Sequence, residues 1–141
     1  MEAYKKHLAR DAKFKKILNN EILLPSMKRN MAMKLVSSIL SQQLSTKVAK
    51  VMHERFILLF GGKEPKPEEI LKVSVDKIRA IGISQNKANY IHNVAQFVVE
   101  HKITDRKLHK LSDEEVIDLL IQIKGVGRWT VEMLLIFALG R

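Results

Sequence analysis

Apolar positions recur along this chain at helical spacing and almost nowhere alternate as in a strand. Tyr4, Leu8, Phe14, Ile17 and Leu18 predict one amphipathic helix from Glu2 to Leu18, ended at Asn19 and Asn20, with lysines on its other face. Met31, Leu35, Val36, Ile39 and Leu40 predict the buried face of a second. Ser45 is placed to cap a third, through Val48, Val51, Met52, Phe56 and Leu59 to the Gly61-Gly62 stop. Pro65 and Pro67 mark a loop before a short helix from Glu68 to Lys72. Ser74 opens another, ended by Gly82, and Ser84 a long helix to about His101 with Ala88, Ile91, Val94, Ala95 and Val98 inward. Ser112 and Glu115 form a capping-box pattern before the run ending at Gly125. The chain closes on Trp129 to Leu139, apolar nearly all round, which predicts a central helix burying Met133, Leu134, Ile136, Phe137 and Leu139. The expectation is an all-α fold of about eight helices.

The most informative stretch is Ile123-Lys124-Gly125-Val126-Gly127-Arg128-Trp129-Thr130. Two glycines one residue apart permit a tight turn and close approach of a ligand. Amides opening the next helix lack intrahelical acceptors and sit at the positive end of its dipole, so a phosphate is well received there. Gly125, Val126 and Gly127, flanked by Lys124, Arg128 and Thr130, are therefore candidate phosphate-binding residues; the plainer alternative is an ordinary helix-to-helix corner. The unit from Ser74 to Gly82 echoes the one from Ser112 to Gly125. Lys87 lies in the first turn after Ser84, either as a second anion contact or as an exposed lysine.

Composition sharpens this. The 141 residues make one domain, 46% hydrophobic and 28% charged, with a net charge of +10 and a pI near 9.9. Such a charge points to a polyanion. With only 6% aromatic residues the stacking platforms of a single-strand binder are sparse, so duplex DNA fits better. Lys13, Lys15, Lys16, Lys28 and Arg29 read as a solvated face. The chain has no cysteine, which excludes disulfides, thiolate zinc sites and iron–sulfur clusters, and its five histidines have no ligand spacing, so no cofactor or metal is expected. No transmembrane run or signal-peptide core occurs, which points to the cytoplasm, or the nucleus in a eukaryote.

The glycine turn resembles the helix-hairpin-helix of the DNA glycosylase superfamily, most closely its DNA-3-methyladenine glycosylase branch, with the hairpin over about 112–139. Ser38-Ile39-Leu40-Ser41-Gln42-Gln43-Leu44-Ser45 and Ile81-Gly82-Ile83-Ser84-Gln85-Asn86-Lys87-Ala88-Asn89-Tyr90-Ile91 are similar to the same branch. Lys124 departs from it, standing where many members have proline. The resemblance implies an all-α, multi-helix glycosylase-type domain acting on duplex DNA in base excision repair. It implies that the junction after Leu40 carries the side chain that wedges into the gap left by an extruded nucleotide, Gln43 or alternatively Leu44. Trp129 stands where lyase-capable relatives carry a lysine nucleophile, which implies hydrolysis of the N-glycosidic bond without lyase chemistry. The same residue would face alkylated, cationic purines such as 3-methyladenine, with Met133 lining that pocket; the alternative for Trp129 is a core anchor. The family's catalytic aspartate would lie beyond Arg141, so the expectation is a chain incomplete at its C-terminus, with no catalytic residue of its own. Glu132 reads as a polar residue on the helix body. Two other functions stay open: a non-catalytic duplex-binding module, and a helical interaction protein that self-associates through its last helix.

Overall fold

Ten α-helices follow one another in the computed structural model, which describes residues 2–18 and 30–141. They are α1 (Glu2–Leu8), α2 (Ala12–Leu18), α3 (Met31–Ser41), α4 (Thr46–Leu58), α5 (Pro67–Leu71), α6 (Val75–Arg79), α7 (Gln85–Glu100), α8 (Asp105–His109), α9 (Asp113–Leu120) and α10 (Arg128–Leu134). The last runs on as a π-helical turn, Leu135–Leu139. No strand occurs among the described residues. Asn19, Asn20, Lys28 and Arg29 lie outside them.

The serine punctuation holds at every position named. Ser45, Ser74, Ser84 and Ser112 each accept, at 3.2–3.4 Å, from the amide three residues on. Glu115 returns the bond, its Oε2 accepting from the Ser112 amide at 2.7 Å. Each such cap contributes about 1 kcal/mol. The long α7 is the hub, packed on α3, α5 and α6, while α10 packs on α3 and α9. Val36, Ile39 and Leu40 of α3 meet Ala88, Ile91, Val94 and Ala95 of α7 in one core with Phe56, Ile70, Ile78, Leu108, Val116, Leu120 and Val131, all fully buried.

Four expectations change. The helix predicted over Glu2 to Leu18 is two, because Asp11 accepts from the Lys13 amide at 2.7 Å, a local bond that competes with a continuing helix. α2 buries nothing, and Phe14 and Ile17 are exposed. On α4, Phe56 is buried, but Val48, Val51 and, just past its end, Leu59 are exposed; this helix at the margin of the fold shows the core a narrower stripe. The short α8 went unpredicted: it has one buried residue, Leu108, and so no period, only its Thr104 cap. The final helix is not covered all round. Val131, Leu134, Leu135, Ala138 and Leu139 are buried, whereas Ile136 and Phe137, expected inside, are about half exposed.

Gly140, at φ +69°, ends the final helix, and Arg141 ties that end to the α8–α9 corner. Its Nη1 donates to the Leu111 carbonyl (2.6 Å) and Asp113 Oδ1 (2.9 Å), and its Nη2 to the carbonyls of His109 (3.0 Å) and Leu108 (3.2 Å).

Candidate nucleic-acid interface

The turn between α9 and α10 is built from its glycines outward. Gly125 has φ +106°, open to few side chains, and a Cβ there would stand 2.2 Å from Cγ of Tyr90. The ring of an α7 residue thus occupies the space that any larger residue would need. Asn93, one turn further along α7, donates to the Lys124 carbonyl at 3.1 Å. Gly127 differs. Its φ of −97° suits any residue, and nothing lies within 4 Å of where its Cβ would be. It caps α10 without a side-chain acceptor, which leaves the amides of Arg128, Trp129 and Thr130 facing outward from the helix start. Lys124 is exposed and borders a cleft along α7 with Asn89, Tyr90 and Asn93.

Three of the phosphate candidates are placed otherwise. Val126 is buried and its amide donates to the Ile123 carbonyl at 3.0 Å, so it scaffolds the turn. Thr130 is only 7% exposed and lines a cleft between α10 and α3, because its position on α10 faces inward. Arg128 is held by carboxylates: its guanidinium meets Glu114 at 3.0 Å and Glu132 at 2.9 Å. That bridges α9 to α10, and these two hydrogen-bonded partners raise its pKa further. Glu132 is thereby paired with Arg128.

The α3–α4 junction is the second half of the face. Gln43 has a left-handed backbone, φ +59°, uncommon for a residue other than glycine, and both Gln43 and Leu44 are exposed. An open cleft of about 650 Å³ is bordered by Gln42 and Gln43, by Ser84, Asn86, Lys87 and Tyr90, and by Trp129. Leu44 does not border it. Trp129 is 68% exposed, which speaks against the core-anchor alternative. Met133 lines a separate cleft of about 210 Å³, with Thr130 and Phe137; Ser38 and Ser41 of α3 border both clefts. The single pocket expected for Trp129 and Met133 is therefore two adjoining ones. Lys87, read as either an anion contact or an exposed lysine, instead turns to α3: its ammonium donates to the carbonyls of Gln42 (2.7 Å) and Leu40 (3.1 Å). Burial lowers its pKa.

Sequence reasoning missed Ser38 and Ser41 of α3, Gln42, Ser84, Asn86 and Tyr90 as lining residues. The two serines, three apart on the polar side of α3, carried a legible signal; the meeting of Tyr90 with Gly125 carried none. Among the described residues no group of side chains has the makings of a metal site.

Residues 36–135 match the description of the HhH-GPD superfamily base excision DNA repair protein. The chain is similar to DNA-3-methyladenine glycosylase 1 of Schizosaccharomyces pombe, 42% identical over 109 residues, which is 76% of this chain and 48% of that protein. The fold is similar to that of the S. pombe 3-methyladenine DNA glycosylase in complex with abasic DNA, with a TM-score of 0.82 at 37% identity over 97% of this chain and 70% of that one. It is equally similar to a DNA-3-methyladenine glycosidase from Bacillus halodurans, with a TM-score of 0.83 at 36% identity over 98% of this chain and 64% of that one. The chain spans about half the length of the curated relatives it matches.

Proposed function

Since the chain belongs to the HhH-GPD superfamily of base excision DNA repair proteins, we propose that it grips duplex DNA and opens it around an alkylated purine, as a monofunctional DNA-3-methyladenine glycosylase. One observation carries this reading: the exposed Trp129 and the left-handed Gln43 border the same cleft beside the glycine turn. An enzyme acting on a base in a duplex must extrude it, at a cost of a few kcal/mol. Gly127 and the first amides of α10, with Lys124, would hold the backbone. Gln43 would enter the vacated stack and pair with the orphaned base. The indole of Trp129 attracts a cationic N-alkylated purine by about 0.5–2 kcal/mol, and the same positive charge makes that base a good leaving group. Trp129 has no amine, so Schiff-base chemistry with the sugar is not available at its position.

A second reading has its own observation. No carboxylate borders either cleft among the described residues, and Glu132 is paired with Arg128. A developing sugar cation would find no electrostatic stabiliser here, which favours a duplex-binding module without catalysis. Release of free base from N-methylated duplex DNA by the 141-residue chain decides between them. Release that disappears with Trp129→Ala supports the glycosylase. Salt-sensitive duplex binding without release supports the module, and absence of both refutes both. The half-exposed Ile136 and Phe137 fit the third expectation, self-association; light scattering that shows a monomer at high concentration removes it.

A further inference from the structure

The α3–α4 junction has an unusual mooring. α3 ends with carbonyls that lack intrahelical donors and carry the negative end of its dipole. Beyond them the chain must bend sharply, with Gln43 at φ +59°. Leu40 is fully buried, so the end of α3 is fixed in the core, but Gln43 and Leu44 are exposed, and the bend around Gln43 is closed by a backbone bond from the Leu44 amide to the Ser41 carbonyl at 3.1 Å. One side chain from another element fastens this segment. Lys87, from the first turn of α7, spends two of its three ammonium donors on the carbonyls of Leu40 and Gln42. Its own backbone is fixed by the Ser84 cap, whose hydroxyl accepts from the Lys87 amide at 3.2 Å.

We propose that Lys87 is a positioning residue for the wedge: by bonding the carbonyls of Leu40 and Gln42, which lead into the bend, it holds Gln43 at the edge of the cleft. The proposal rests on the reading of this face as the one that opens DNA. Lys87 itself need touch no phosphate, because its ammonium is committed to protein oxygens. The wedge is thereby set by α7, the element that also carries Tyr90 of the cleft.

The test compares two short duplexes, one intact and one with a tetrahydrofuran abasic site opposite 2-aminopurine, bound by the full chain and followed by anisotropy and by 2-aminopurine emission. Wild type is expected to prefer the gapped duplex and to change the emission as Gln43 reaches the orphaned base. Lys87→Met is expected to lose that emission change and about tenfold of the preference, the scale of a hydrogen bond to a charged group, while intact-duplex affinity falls by less than about threefold. Lys87→Gln, whose shorter amide keeps N–H donors but not the charge, should fall between and carries the test if the methionine variant does not fold. In the Gln43→Ala background, Lys87→Met should add nothing to the lost preference, since one residue acts through the other. Retained preference and emission in Lys87→Met overturn the proposal. So does an equal loss on both duplexes with a salt slope shallower by about one, the mark of a phosphate contact. A wild type that binds both duplexes alike, with no emission change, refutes the reading of the face itself, and the role of Lys87 falls with it.

Discussion

Alanine at position 127 separates what the turn needs in order to fold from what it needs in order to bind. The backbone of Gly127 lies at φ −97° and ψ 168°, within reach of any residue, and no atom stands within 4 Å of the added methyl. Two small terms oppose each other. Alanine is a poorer N-cap than glycine by about 0.5–1 kcal/mol. It also restricts the unfolded chain, which stabilises by about 0.4–1 kcal/mol. The melting temperature of Gly127→Ala should therefore stay within a few degrees of wild type. A methyl at the mouth of the α10 amides, however, keeps a phosphate oxygen out of hydrogen-bond range. Losing one bond to a charged group, about 1.5–3 kcal/mol, weakens duplex binding by about ten- to a hundredfold. Circular dichroism at 222 nm and fluorescence anisotropy on a short duplex at fixed salt measure the two quantities on the same preparation. Gly125→Ala is the counterpart. Its positive φ costs about 1–3 kcal/mol and the collision with Tyr90 about 1–3 more, a large part of a domain's stability of about 5–15 kcal/mol. Unchanged affinity in a fully folded Gly127→Ala refutes the phosphate role of the turn. A Gly125→Ala protein as stable as wild type refutes the packing account.

Trp129→Ala should leave the melting temperature nearly unchanged, because the indole is mostly in solvent; a large drop would return Trp129 to the role of core anchor. Arg141→Met removes a guanidinium that meets three carbonyls and a carboxylate, and should destabilise by about 1–3 kcal/mol in urea titrations. A variant as stable as wild type would mean that the tether is not formed in solution. The Ser112 amide, and then its hydroxyl, hold the Glu115 carboxyl below the ordinary glutamate value. A depressed pKa contributes stability that is complete above the unfolded value and lost as pH falls through the folded one. The gap in melting temperature between wild type and Glu115→Gln should thus be full at neutral pH and close in acid; a gap constant from pH 7 to pH 3 rules this out.

Helix identities were legible wherever a serine cap met a periodic apolar run, as in α4, α7 and α9. α3 showed its buried face through periodicity, although its cap is Asn30, whose side chain accepts from the Met33 amide. α8 was not legible, because one leucine in five residues makes no period. The break at Asp11 turned on a single carboxylate preferring its local amide to a continuing helix. In the site, backbone devices were readable: the glycine turn, the polar junction, the aromatic after the turn. Side-chain commitments were not. Arg128 and Lys87 are basic residues at places suited to an anion, and composition cannot say that Glu114 and Glu132 claim the one and two carbonyls the other. Val126 and Thr130 fell inward for a related reason, since a turn's outer and inner faces are decided by what packs behind it, here α7 and α3.

Seen lengthwise, α7 works as a caliper. One jaw is Lys87, fastened to the α3–α4 junction; the other is Asn93, fastened to the carbonyl before Gly125. They stand six positions apart on the helix, about 9 Å at 1.5 Å of rise each. A nucleic acid strand advances about 3.4 Å per nucleotide, so the two jaws are set between two and three nucleotides apart. The interval is a property of a hydrogen-bonded rod, which stretches little. One residue added to α7 between Lys87 and Asn93 would lengthen it by about 1.5 Å and turn one jaw by about 100° against the other. On the proposed reading, which nucleotide leaves the duplex relative to which phosphate is held becomes a count of residues along a single helix.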